Sequence, residues 1–234
     1  MCLHRDHSAG LLGDGTRHAA REEYSMSIHS DSPAAPGLDR PVLEQVTTFE
    51  RIILRNSIVA EVLTRASALD LPGWYLTAGC LFQTVWNVVC GFEPTRGIRD
   101  YDLSYFDARD LSWDAEDVVI RRCAALFDDL PATVEVRNQA RVHLWYEDHF
   151  GVPCPPHASS EAAINTFAAT ACCIAVRRAR DGQLVVYAPH GFNDLFGLVV
   201  RPNPSVAPAS VYTQKADRWR ALWPRLTVLP WPAS

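Results

Sequence analysis

Apolar residues change their spacing along the chain, and those changes mark out its elements. Residues 1–40 carry Gly, Ser, His, Asp and Pro with almost no periodic apolar pattern, and are expected to be disordered. Met26 lies inside that stretch and is a second candidate start. From Pro41 onward Val42, Val46, Phe49, Ile52, Ile53, Val59, Val62 and Leu63 recur at helical spacings, predicting one or two amphipathic helices to about Leu69. Pro72-Gly73 breaks the pattern, and Trp74 to Ala78 reads as a buried strand closed by Gly79. Cys80 to Cys90 is apolar on most sides and predicts a buried helix.

The next stretch, Ile98 to Asp107, reads as a strand with carboxylates at alternate positions. Side chains alternate across a strand, so Asp100 and Asp102 share one face while Tyr101 and Leu103 share the other. A helix is expected from about Asp110 to Leu130, with Asp114, Glu116 and Asp117 suiting its positive end and Pro131 stopping it. Thr133 to Arg137 alternates as a third strand, and a helix is expected near Gln139–His149. Ser159 or Ser160 can cap a short helix. Cys172–Arg177 and Gln183–Tyr187 predict a hairpin across Asp181-Gly182. A short helix near Asn193–Phe196, an apolar run Leu198–Val200 and a last helix from about Ser210 to Leu222 complete the pattern. The expectation is an α/β fold: one domain over residues 41–230, in which a small mixed sheet carries the acids between helices.

Composition narrows the chemistry. At 48% hydrophobic and 21% charged residues the chain reads as an ordinary globular enzyme. A net charge of −5 disfavours bulk nucleic-acid binding, which depends on Lys and Arg neutralising phosphates. Seven cysteines without regular spacing do not form a disulfide framework, and with no secretory signal a cytoplasmic setting is the simplest inference. No apolar run approaches the roughly 18 residues of a membrane-spanning helix.

An acid-x-acid pair on a strand suits divalent metals, which take hard oxygen ligands and tolerate water in the remaining positions. Taken alone, Asp100-Tyr101-Asp102 would as soon be the solvated edge of a strand. Its context is more specific. The order strand, Gly79, helix, loop and acid strand resembles the nucleotidyltransferase family with the DNA polymerase β-like fold. That family also places a third carboxylate on a neighbouring strand, and Val134-Glu135-Val136 fits. More narrowly, the chain resembles bacterial nucleotidyltransferase-like proteins of unassigned substrate. Ala78-Gly79 with Val85-Trp86-Asn87, Asp100 to Asp107, Arg137 to His143 and Ala188 to Leu195 carry that likeness, with Arg201-Pro202 and Trp219 to Pro224.

The resemblance implies Mg²⁺-dependent transfer of a nucleotidyl group from an NTP to a hydroxyl of a small-molecule or protein acceptor. Asp100 and Asp102 would hold two metals, with Glu135 completing the site and able to serve as base. Gly79 would let backbone approach the triphosphate at a helix N-terminus. Cys80 departs from the Gly or Ser usual after that glycine. A catalytically silent domain of the same fold, binding a nucleotide or a partner, is the alternative.

Other candidates have plainer explanations. Asn138, Gln139 and His143 could recognise nucleotide or acceptor, Gln139 and His143 being four apart on the expected helix; Asn138 could equally be a cap. His190 to Asp194 reads as structural punctuation, and Lys215 and Arg218 as a solvated helix face. Cys154 and His157 with Cys172 or Cys173 carry zinc-type ligands at irregular spacing, and buried thiols are the simpler reading. Cys80 as a nucleophile lacks local support. Asp107 stands at the strand's end and is left out of the site.

Overall fold

The computed structural model describes residues 37–233, and the expected disorder of residues 1–36 falls outside them. Gly37–Asp39 form a turn whose Leu38 packs against the core. The helices expected after Pro41 are α1 (Val42–Ile53) and α2 (Ser57–Ala66), separated by Asn56, whose side-chain oxygen caps α2 by accepting from the Ile58 and Val59 amides. Then come β1 (Tyr75–Thr77), α3 (Gly79–Val89), β2 (Asp100–Tyr105), α4 (Trp113–Phe127) and β3 (Thr133–Asn138). α4 starts three residues later than expected because Ser112, not Asp110, caps it, its hydroxyl accepting from the Ala115 amide at 3.2 Å.

The continuous helix expected after β3 is replaced by a 3₁₀ segment, Gln139–Leu144, and a short α5 (Tyr146–Phe150). Asn138 imposes the tight start: its side-chain oxygen accepts from the Ala140 amide, an i to i+2 closure too short for an α-turn. α6 (Ser160–Ile164) is capped by Ser159. β4 (Ala175–Arg178) and β5 (Leu184–Tyr187) form the hairpin, entered later than expected because Thr170–Cys172 curl into a 3₁₀ turn. α7 (Asn193–Phe196), β6 (Val199–Val200), α8 (Ala209–Leu222) and β7 (Thr227–Val228) follow.

Five strands make a mixed sheet in the order β3-β2-β1-β4-β5. β2 and β3 run parallel, joined by α4 as the crossover that parallel neighbours require; the other pairings are antiparallel. β6 and β7 form a separate two-stranded parallel pair. One face of the main sheet, carrying Leu76, Tyr101, Leu103, Val136 and Val176, is buried with Phe49, Ile53, Leu63, Leu81 and Trp86 in the main core. The other face is polar around the acids and apolar only where Tyr75 and Ala175 meet Ile164 and Cys173. No helix among the described residues is long and apolar enough to cross a membrane.

Several separated motifs turn out to be partners. Trp223 donates to the Asn87 side-chain oxygen at 2.8 Å, while the Asn87 amide nitrogen holds the Pro94 and Arg96 carbonyls. Trp86 packs edge-on against Trp219 and Trp223 at 5.7 and 5.5 Å. Arg201 makes a two-pronged pair with Asp194, joining the motif after β5 to Arg201-Pro202. Each pairing fixes where the last helix lies, and hence what α8 presents to the sheet.

Candidate active site

The acids sit where three strands meet. Asp102 pairs in register with Thr77 of β1 on one side and Glu135 of β3 on the other. Register partners point to the same face, so Asp102 and Glu135 project together from strands about 4.8 Å apart. Asp100 lies on that face two residues back along β2. Asp100 and Asp102 are 4% and 6% exposed, unusual for carboxylates and a poor match to a solvated strand edge.

The electrostatics follow from this crowding. Burial pushes the Asp102 carboxyl up from the usual carboxylate range, and the charge of Asp100 adds to the shift, while Lys215 and Arg137 oppose it. Glu135 is raised for the same reasons: burial first, then the charge of Asp102, with Arg137 pulling the other way. Glu135 Oε2 is buried without a hydrogen-bond partner, and its ion pair with Arg137 is 3.7 Å long. Like charges held together, one with an orphaned oxygen, form a hard donor set suited to a divalent cation. Among the described residues, however, no three acidic, His or Cys side chains are already drawn into a coordination cage. The chemistry of the donors fits a cation; their present rotamers stop short of enclosing one.

Above the acids runs the turn from β1 into α3. Ala78 adopts φ 50°, ψ −113°, a strained backbone for a residue with a Cβ, and its amide donates to the Ile174 carbonyl at 3.1 Å. Gly79 follows immediately. A Cβ there would lie 3.9 Å from Asp100 Oδ1 and 3.2 Å from Gln83 Nε2, so the missing side chain leaves open backbone directly beside the carboxylates. Cys80 is fully buried and its thiol faces the Thr77 carbonyl at 3.6 Å, away from the acids.

A cleft of about 550 Å³, including its solvent-open mouth, lies between this turn and α8. Gly79, Gln83 and Asp102 line one side; Lys215, Arg218 and Trp219 line the other. Lys215 is the only lysine in the chain. Both cations were expected on a solvated face. The stripe Val211, Lys215, Arg218, Trp219 has helical spacing that could have signalled a common side, but sequence alone does not say which surface that side meets. Trp219 is 2% exposed, and its indole nitrogen has no partner.

The remaining sequence candidates separate. Asn138 does not reach the acids' face: one position past Arg137 on β3, it points to the opposite side, where its amide spans Asp107 and Ala140. It is a cap. Gln139 does face the acid side, its Nε2 donating to Ser104 Oγ at 3.2 Å, and it lines a second hollow rather than the cleft. In the 3₁₀ segment it shares that hollow with Val142, three residues on, and not with His143. Arg141 is tied to Glu116 in a buried pair and to the Leu111 carbonyl, a structural anchor. Arg109 holds the Asp107 carboxyl down at about 2. Cys154 and His157 meet at 3.6 Å, while Cys172 lines the cleft and Cys173 packs with Tyr75 and Ile164, so the zinc grouping does not assemble.

Comparison with known proteins agrees with this geometry. No curated protein matches the chain. A solved NMR structure described as revealing a CCA-adding enzyme head domain is similar in fold, with a TM-score of 0.60 and 22% identity, covering 74% of this chain and 90% of that one. The nucleotidyltransferase family model matches residues 64–228, the span that holds both acid strands, the Gly79 turn and α8, and the chain belongs to that family.

Proposed function

We propose that the protein transfers a nucleotidyl group from an NTP to an acceptor hydroxyl, with the nucleotide in the cleft between the Gly79 turn and α8. The observation that carries this reading is the register of Asp102 with Glu135 beneath the Gly79 turn. Asp100, Asp102 and Glu135 would hold Mg²⁺, whose contribution when bound is to neutralise charge on the phosphoryl oxygens and favour the attacking alkoxide. The open backbone at Gly79, with the start of α3, suits a triphosphate that a side chain would exclude. Lys215 and Arg218 face it from the other wall and offset its charge. The acceptor oxygen attacks the α-phosphorus, the bond to the β-phosphate oxygen breaks, and pyrophosphate leaves. Glu135, on the side of Asp102 away from β1, is placed to take the hydroxyl proton.

The test is incorporation of labelled nucleotide with Mg²⁺, comparing wild type with Asp102→Asn. Equal incorporation by the two sinks the mechanism. A catalytically silent, nucleotide-binding domain is the second reading, favoured by the inward-facing Cys80 and by carboxylates that do not enclose a cation. Calorimetric titration with each NTP, with and without Mg²⁺, separates them, since binding without turnover supports the silent domain.

A further inference from the structure

A second hollow opens beside the acids, on the side away from the cleft. It holds about 390 Å³ of empty space and shares Thr166 and Phe167 with the cleft as a common wall. Its floor is Arg137, two residues along β3 from Glu135 and paired with it at 3.7 Å. A ligand in this hollow therefore approaches Glu135 from the opposite side to a nucleotide in the cleft. In-line displacement needs the attacking and leaving groups on opposite sides of the phosphorus.

The lining selects a chemical class. The Arg137 guanidinium spends one donor on the Val136 carbonyl, and the nearest carboxylate oxygen stands beyond hydrogen-bond length, so donors remain for an anion. Gln139 uses its Nε2 on Ser104 and on the Arg137 carbonyl, which leaves its amide oxygen as an acceptor for a ligand hydroxyl. Trp145, Tyr146 and Phe167 supply aromatic walls. His157, also in the wall, is held down by burial and by His143, so it adds no second positive charge at neutral pH.

We propose that this hollow is the acceptor site, and that the acceptor is a small hydroxylated ring compound carrying an anionic group. Its ring lies against the aromatic wall, its phosphate or carboxylate meets Arg137, and a neighbouring hydroxyl faces Glu135. The enclosed shape fits a monosaccharide-sized molecule better than a protein segment. This assignment rests on the nucleotidyl-transfer reading, and the test separates the two.

Because Lys215 is the only lysine, NTP occupancy of the cleft can be followed as protection of that residue from an amine-selective label. Binding in the second hollow is measured in parallel by calorimetry with glucose 6-phosphate, glucuronate, glucose and glucosamine, on wild type, Arg137→Gln and Trp145→Phe of verified fold. The expected result is that the two anionic sugars bind, that each variant weakens them by about tenfold or more, and that NTP protection of Lys215 is unchanged. The two anionic arms tell a phosphate from a carboxylate. Preference for glucosamine, equal binding by both variants, or labelling of a peptide hydroxyl in place of all four sugars overturns the acceptor assignment with nucleotide protection intact. Absence of protection by any NTP overturns the nucleotide reading itself.

Discussion

Glu135 stands directly across from Asp102 on the parallel neighbouring strand, and α4 is what sets them side by side. A shift of one residue in this register would turn Glu135 to the buried face and dissolve the site. Two carboxylates so placed are a burden to the protein without a cation and an asset with one. That asymmetry yields tests that activity alone would not.

Transfer is expected to fall by on the order of a hundredfold or more in Asp102→Asn, because a charge-neutralising ligand worth several kcal/mol is lost. Glu135→Gln should reduce turnover while leaving NTP affinity nearly unchanged. Rates at saturating and limiting NTP distinguish the two patterns. A parallel loss of affinity in Glu135→Gln would place that residue on the nucleotide instead.

Stability should move in the opposite direction. Burial and mutual repulsion raise the Asp102 and Glu135 carboxyls in the folded chain, so their protonated forms suit the fold better than their charged forms. Their contribution is therefore most favourable below the ordinary carboxylate pKa of about 4 and is lost as pH rises through the raised folded values. In chelator at neutral pH, Asp102→Asn is expected to melt about 2–4 °C higher than wild type, a gain on the order of 1 kcal/mol. At pH near 4 the difference should vanish. Excess Mg²⁺ should stabilise wild type and not the variant, as melting curves with and without the ion will show.

Lys215→Gln and Arg218→Gln are each expected to raise the KM for NTP by about tenfold with little change in turnover at saturation. Both residues face the cleft from α8, whose position Trp223 and Asn87 fix through their 2.8 Å hydrogen bond. Unchanged KM values in both variants would mean that the phosphates lie elsewhere.

At the Gly79 turn, adding a methyl should matter and adding a hydroxyl should not. Gly79→Ala places a Cβ 3.9 Å from Asp100 Oδ1, where the only tight neighbour is the flexible end of Gln83. The variant is expected to fold and to bind NTP about tenfold less well. Cys80→Ser is expected to stay within about twofold of wild type in NTP affinity, because that side chain points at the Thr77 carbonyl. A marked gain from Cys80→Ser would show that the turn rearranges around the nucleotide.

Asn87→Ala removes the acceptor of Trp223 and the donor to the Pro94 and Arg96 carbonyls in one step. A loss of about 2–4 kcal/mol is expected from leaving buried groups unpaired, readable in denaturant melts. Because the same bond seats α8, the surviving folded protein should also show a raised KM for NTP.

What the sequence determined by itself was local and periodic. Alternation put Asp100 and Asp102 on one face, helical spacing found α1, α2 and α8, and Pro131 ended the helix before β3. The strand-Gly79-helix unit and the acid strand were legible because the chemistry constrains neighbours along the chain. Other features needed the tertiary structure, since they depend on residues far apart meeting. Glu135 is a site residue only because β3 pairs in parallel and in register with β2. Lys215 and Arg218 looked like a solvated face until α8 was seen to close the cleft, held by Trp86, Asn87 and Trp223. Asn138 and Gln139 are adjacent in sequence and read alike, yet one faces the core and the other the acids. A strand's alternation sends neighbours to opposite sides, and only the packing of the sheet decides which side becomes the site.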